Sequence, residues 1–269
     1  MLPFITVFGR RIALYGILTV AGAALGICAA AYLSRRRGLK RQDIFFASLY
    51  ALIGMLIGGK FLFIITILPG LIARKAELYF GSGLLSSLLC GGFVFYGGLL
   101  GGAVSVRLYC RRYKLPLLAM FDSLAPGLAL AHAVGRIGCF FAGCCFGIEY
   151  QGAMAVKING VARFPVQLLE SALLFALSGF LLVFTRKERA EGSAAGLYTA
   201  IYSAARFCLE FLRGDKLRGS FLALSTSQWI SLVLLPLGLY LIFRQKEQCL
   251  KISALQRRKN MIEWRAWKG

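Results

Sequence analysis

The sequence predicts an all-α polytopic integral membrane protein with seven transmembrane helices, its N-terminus outside and its C-terminus in the cytoplasm. Three observations predict it. Apolar residues make up 58% of the 269 positions and charged residues 16%, against about 45–50% and about 25% in a soluble domain. The mean hydropathy is +0.70. The apolar residues also gather into runs near the length, about 20 residues, that a bilayer-crossing helix needs. Together these exclude a soluble enzyme and a disordered chain. The formal net charge is +21, from 32 Lys and Arg against 11 Asp and Glu. On a soluble surface that balance suggests nucleic acid. Here the bases lie mainly between apolar runs, so they point to anionic lipid headgroups and to control of topology, and no nucleic-acid partner is expected.

The spans are expected over 12–33, 44–68, 84–109, 116–146, 165–184, 195–212 and 226–243. The first follows Arg10 and Arg11 and is long enough to stay in the bilayer rather than act as a cleaved signal. Cys28 follows Gly26-Ile27 and lacks the small preceding residue of a lipidation site. The third holds Gly97 to Gly102 (GGLLGG), with two interleaved small-xxx-small pairs, Gly97/Gly101 and Gly98/Gly102, that let helices approach closely. The fourth is too long for a simple span and is expected to kink or split at Pro126-Gly127. One set of loops holds Arg35, Arg36, Arg37, Lys40 and Arg41, then Arg111, Arg112 and Lys114, then Arg186, Lys187 and Arg189, and finally the tail. That set carries about twice the bases of the other, which gives the orientation stated above. The domain reading is a seven-helix region over 1–243 and a basic cytoplasmic tail over 244–269.

Charged side chains inside spans are costly, at least about 2.5–3.5 kcal/mol at the bilayer centre, and usually line a polar cavity or pair within the bundle. At 1.5 Å per residue, Arg206 lies roughly 17 Å into the sixth span, just past the midplane. Glu210 and Arg213 follow at i+4 and i+7 on the same face. Lys60 and Arg136 come out in the outer half. Tyr15, Gln167 and Glu170 come out near the outer surface, and Tyr96 near the midplane. Polar residues from six helices thus share one level, with cations in excess. That suits an anionic headgroup entering from lipid and gripped by guanidinium forks.

The densest segment is GRIGCFFAGCCFG over 135–147. With it go FYGGLLGG (95–102), PVQLLES (165–171) and YSAARFCLEFLRGD (202–215). In order and spacing these blocks resemble bacterial prolipoprotein diacylglyceryl transferases from about Tyr15 to Phe243. The resemblance implies a multi-pass protein of the bacterial cytoplasmic membrane that moves a diacylglyceryl group from phosphatidylglycerol onto the lipobox cysteine thiol of a prolipoprotein signal peptide, with no cofactor. It implies that Arg136 contacts the phosphatidylglycerol headgroup and that Arg206 is essential and near the phosphate. Glu210 and Arg213 match the acid and second arginine of the sixth-span block, Tyr15 the first-span tyrosine, and Tyr202 the tyrosine four residues before the arginine. Gln167 and Glu170 match the Pro-x-Gln-Leu-x-Glu block.

The sequence departs from the family pattern at Cys139 and Ala142 (Asn in the family), Cys144 (Glu), Tyr96 (the His of His-Gly-Gly) and Lys60 (the Arg of Gly-x-Arg). A phenol ionises near about 10, so Tyr96 is a poor base near neutrality unless a cation lowers that value, yet it remains a hydrogen-bond donor. His132 is the sole histidine, one turn before Arg136 on the same face. It is either a substitute base or a packed residue. Cys139, Cys144 and Cys145 are spaced C-x4-CC without the second pair that zinc sites prefer, so no metal is expected. A disulfide across the helix end, or small thiols filling a tight turn, remain as readings. Two alternatives to the transferase stay open: a lipid-binding or lipid-translocating protein without chemistry, and a thiol-redox protein using Cys139, Cys144 and Cys145.

Overall fold

A computed structural model describes residues 4–7, 10–73, 94–158, 160–187, 189–214, 220–221 and 224–244. The start of the expected third span, 84–93, and the tail from 245 lie outside the described residues. Among the described residues there are seven α-helices: α1 (Leu14–Ser34), α2 (Arg41–Ala73), α3 (Phe95–Arg112), α4 (Leu117–Ala142), α5 (Val166–Phe184), α6 (Ser193–Glu210) and α7 (Thr226–Arg244). Three two-stranded antiparallel hairpins accompany them: β1 (Phe4–Val7) with β2 (Arg10–Ala13), β3 (Val156–Ile158) with β4 (Val161–Arg163), and β5 (Ser220–Phe221) with β6 (Leu224–Ser225). Five segments are long and apolar enough to cross a membrane: Leu14–Arg37, Arg41–Thr66, Leu117–Ala142, Val166–Phe184 and Thr226–Arg244. α3 and α6 are less apolar because they carry Arg107, Arg111 and Arg112, and Arg206 and Glu210, respectively.

The chain forms two compact units, Met1–Leu39 with Phe121–Gly269, and Lys40–Met120. In the first, the β1–β2 hairpin feeds α1, so Ile12 and Ala13 are strand rather than the start of the span. α1 packs on α4 through small residues. A Cβ on Gly22 would stand 2.9 Å from the Ala131 carbonyl oxygen, so only glycine permits this approach. α4 is not split at Pro126 but runs through it. Proline removes an N–H there and deprives the Asp122 carbonyl of its helical partner. Hydroxyls from α5 stitch the same stretch: Ser178 Oγ donates to the Pro126 carbonyl (2.9 Å) and Ser171 Oγ to that of Ala133 (2.8 Å).

The Asp122 side chain performs a second task. Its carboxylate accepts the backbone N–H groups of Gly192 (2.8 Å), Ala194 (2.9 Å) and Ala195 (2.9 Å), capping the start of α6 from a distant helix. Arg37 lies 3.4 Å from the same carboxylate. Arg36 and Arg37 also donate to the carbonyls of Arg186 and Arg189.

At the other end of α4 the helix stops at Ala142, short of the expected Phe146. Gly143 (φ 69°) and Cys145 (φ 57°) turn the chain through left-handed backbone. The strip after the turn is paired on both sides. Gly147 N–H donates to the Phe164 carbonyl (3.2 Å), Ile148 N–H to that of Leu212 (3.0 Å), and Gly214 N–H to that of Phe146 (3.1 Å). The β3–β4 hairpin continues this strip through Tyr150 N–H to the Ala162 carbonyl (3.1 Å). The strip therefore ties the exit of α4 to the exit of α6 and the approach to α5.

In the second unit α2 and α3 pack backbone to backbone. Gly54 and Gly58 meet Gly101 and Gly97, and a Cβ at any of the four would strike the partner helix. Of the two glycine pairs singled out in α3, Gly97/Gly101 makes this close approach, while a Cβ on Gly102 would stand 3.3 Å from the Ala51 carbonyl oxygen, tight but short of a clash. The Tyr109 hydroxyl donates to Asp43 Oδ1 at 3.5 Å.

Candidate active site

The polar residues of the first unit converge because helical spacing puts them on single faces. α4 presents His132 and Arg136 one turn apart. α5 presents Gln167 and Glu170. α6 presents Tyr198, Tyr202, Arg206 and Glu210 at successive four-residue steps. Arg213 follows just beyond α6, and Ser227 lies in the first turn of α7.

Glu170 is the hub and is 1% exposed. Its Oε1 accepts from Arg136 Nη2 at 3.0 Å and from the Tyr202 hydroxyl at 3.1 Å, and His132 Nε2 stands 4.0 Å away. Three helices thus meet at one carboxylate oxygen. The His132 ring packs edge-on against Tyr202 (5.1 Å between centroids), and Tyr198 stacks on Tyr202 at 5.9 Å. Arg206 also lies within electrostatic reach of Glu170.

A second cluster surrounds Glu210. Arg206 Nη2 donates to Glu210 Oε2 and to Ser227 Oγ (3.3 Å), while Arg213 Nε stands 3.9 Å from the same carboxylate. Gln167 Nε2 donates to the Cys144 carbonyl at 2.7 Å, linking α5 to the turn after α4. The three sulfurs of Cys139, Cys144 and Cys145 lie within 4.8 Å of one another, and none is in a disulfide. The helix end at Gly143 is what lets Cys139 reach its partners across the turn. Tyr15 packs beside this turn, against Gly138.

Three guanidinium groups here face two carboxylates, so the site is net cationic. Arg136 Nε and Arg206 Nη1 are buried and have no hydrogen-bond partner among the described residues. Buried donors are nearly always satisfied. Two arginines held in place by carboxylates, with donors left over, are chemically suited to an oxyanion: the carboxylates fix the forks and the spare N–H groups can donate to it.

A sequence model of the family described as prolipoprotein diacylglyceryl transferase matches residues 3–244. The chain belongs to this family. A phosphatidylglycerol–prolipoprotein diacylglyceryl transferase of Clostridium tetani is 38% identical over 244 residues, 87% of this chain and 93% of that protein. A protein of Clostridium perfringens with the same name and the number 2 is 37% identical over 248 residues, 87% of this chain and 91% of its own length. One from Finegoldia magna is 28% identical over 250 residues, 91% of this chain and 96% of its own. Family membership and the five crossing-competent helices make this a multi-pass membrane protein.

Among the residues singled out in the sequence of this family member, the first unit brings together Arg136, Glu170, Tyr202 and His132, and likewise Arg206, Glu210 and Arg213. Gln167 and Tyr15 belong to the neighbouring turn. Tyr96 and Lys60 belong to the second unit. Tyr96 is half-buried in the first turn of α3, and the Lys60 ammonium lies 5.3 Å from the Phe63 ring on α2. Sequence reasoning missed Ser227 and Tyr198. Their signals were a polar stretch, Ser225-Thr226-Ser227-Gln228, opening an apolar span, and a second tyrosine four residues before Tyr202.

Proposed function

We infer that this protein transfers a diacylglyceryl group from phosphatidylglycerol to the lipobox cysteine thiol of a prolipoprotein, releasing glycerol phosphate. The observation that carries the reading is the pair of buried arginines, Arg136 and Arg206, each braced by a glutamate and each with an N–H to spare. The reaction breaks a carbon–oxygen bond at the phosphate ester and forms a carbon–sulfur bond. Negative charge grows on the phosphate as it leaves, and fixed donors in a water-poor site stabilise that charge most. Arg136 and Arg206 take this role. Glu170 and Glu210 orient them, and Tyr202 orients Glu170. Arg213, Gln167 and Tyr15 bound the substrate region; Tyr96 and Lys60, on the second unit, offer a hydroxyl and an ammonium for polar contacts with lipid. His132 is the candidate to accept the thiol proton.

The same reading places seven crossings in a bacterial cytoplasmic membrane, N-terminus outside and C-terminus inside, with the signal peptide approaching from the bilayer. The decisive experiment incubates purified protein with phosphatidylglycerol labelled in its acyl chains and a lipobox peptide. Thioether-linked peptide is expected, and it disappears in Arg136→Ala and Arg206→Ala. Product at wild-type rate in both variants overturns the reading.

A further inference from the structure

We propose that Cys139, Cys144 and Cys145 form a tris-thiolate site for one zinc ion, with its fourth coordination position open to the acceptor thiol. The linear spacing argues against a metal, but the fold changes the spacing that matters. The sulfurs already lie within 4.8 Å of one another. Zinc–sulfur bonds of about 2.3 Å in a tetrahedron set sulfurs about 3.8 Å apart, so side-chain rotation of about an ångström closes the site.

The turn that gathers the thiols is built from both sides. Gly143 and Cys145 take left-handed backbone, and Cys145 does so as a non-glycine residue. Such outliers persist where surrounding structure holds them, often at ligand clamps. Here Cys144 N–H donates to the Cys139 carbonyl at 3.2 Å, and buried Gln167 clamps the Cys144 carbonyl. The paired strip at Gly147 and Ile148 anchors the following residues. Three thiolates around a divalent ion leave one negative charge. The Arg213 side chain hydrogen-bonds Cys145, and Arg136 is close enough to Cys139 to interact with it, so that charge is met by cations. Cys144 is exposed and its two partners are half-buried, so a fourth ligand has access.

The role of the open position rests on the transferase reading. A thiol binding there is made more acidic by the ion and gives up its proton, for which His132 is the candidate acceptor. The sulfur lone pair then forms the bond to the glyceryl carbon as the carbon–oxygen bond breaks, its electron pair leaving on the phosphate oxygen. No electron is transferred to or from the metal.

The test uses the full chain, purified in detergent, reduced and kept anaerobic, and titrated with cobalt(II) as a spectroscopic stand-in for zinc. One equivalent is expected to bind with thiolate charge-transfer absorption and tetrahedral visible bands, and zinc displaces it. Single Cys139→Ser, Cys144→Ser and Cys145→Ser variants lose the charge-transfer band. A lipobox peptide shifts the visible bands, and its Cys→Ser analogue does not. Chelation lowers transfer at least about tenfold, and zinc restores it. The proposal is overturned by reduced protein without a charge-transfer band, by a band that survives the triple serine variant, or by visible bands indifferent to the peptide. Transfer measured on the same preparation separates the two readings. Intact transfer without metal binding removes the zinc site alone, whereas bound cobalt with no lipidated product removes the transferase reading.

Discussion

Glu170 is the residue on which the site turns. It is a buried carboxylate with an arginine, a tyrosine hydroxyl and a histidine around one oxygen. Removing one partner of such a pair strands the other charge, at a cost of about 3–5 kcal/mol. Glu170→Gln is therefore expected to lower transfer by about 10²-fold or more, in the range of losing a transition-state donor, because Arg136 loses its brace. Initial rates on monodisperse protein check this, and a rate within twofold of wild type removes Glu170 from its orienting role. Tyr202→Phe keeps the ring against His132 and Tyr198 and removes one hydrogen bond to a charged group, worth about 1.5–3 kcal/mol. Its loss of rate is expected to be smaller than that of Glu170→Gln, and the reverse order contradicts the hub. The charged members of this site were legible in the sequence because each such group in an apolar run is expensive and needs a reason, whereas Tyr198 and Ser227 carry no charge and were missed. The i, i+4 pairing of Arg206 with Glu210 was legible for the same reason. The pairing of Arg136 with Glu170 was not, because it depends on how α4 and α5 are rotated against each other, which no local pattern records. Asp122 carried the same signal of expense in the fourth span, yet its task concerns backbone groups of a helix seventy residues away.

At the scale of elements, helix existence was plain and helix ends were not. Apolar run length announced α1, α2, α4, α5 and α7. The stop of α4 at Ala142 depends on left-handed backbone at Gly143 and Cys145, and Cys145 is a residue type that seldom adopts it. The Asp122 cap makes an element-level prediction. Its carboxylate is fully buried and accepts three N–H groups at the start of α6. Asp122→Ala leaves those donors and Arg37 without it. The expected loss is about 2–4 kcal/mol, from several stranded buried polar groups. Thermal unfolding in detergent should show a lower midpoint, with a smaller drop for Asp122→Asn, which retains one acceptor oxygen. Equal midpoints for wild type and the alanine variant would falsify the cap. In the other unit, Gly97→Leu pushes a side chain into the α2 backbone. Overpacking of this kind typically costs about 1–3 kcal/mol, and more is expected where the obstacle is main chain. Gly179→Leu, on the exposed side of α5 with nothing within 4 Å of an added Cβ, is the control. Similar midpoints for the two variants would mean that the Gly54–Gly58 and Gly97–Gly101 faces do not meet.

At the scale of the whole molecule, the distribution of polarity is the reverse of a soluble protein. Gln167, Glu170, Asp122 and Arg206 are buried, while Val20, Phe61, Leu100 and Val233 are each at least 64% exposed. In water that exterior would aggregate; in a bilayer it is the solvated face. The same inversion explains why composition alone was enough to place the chain in a membrane, whereas orientation has to be argued from charge. Arg35, Arg36, Arg37, Arg186 and Arg189 gather at one end of the first unit, where Arg36 and Arg37 bond to the carbonyls of Arg186 and Arg189. The cysteine turn and Arg213 lie beyond the opposite ends of α4 and α6. Bases concentrate on the cytoplasmic side because moving them across the membrane during insertion is disfavoured. The arginine-rich end is therefore expected inside and the cysteine turn outside. In intact cells a membrane-impermeant maleimide should label Cys144, the exposed thiol of the turn, in a variant whose other seven cysteines are replaced. An exported-phosphatase fusion after Phe243 should be silent, and one after Gly214 active. Labelling of Cys144 only after permeabilisation, together with an active fusion at Phe243, would invert the protein. Phosphatidylglycerol would then have to reach the arginines from the inner leaflet, and a lipobox cysteine presented at the outer surface would have no route to them.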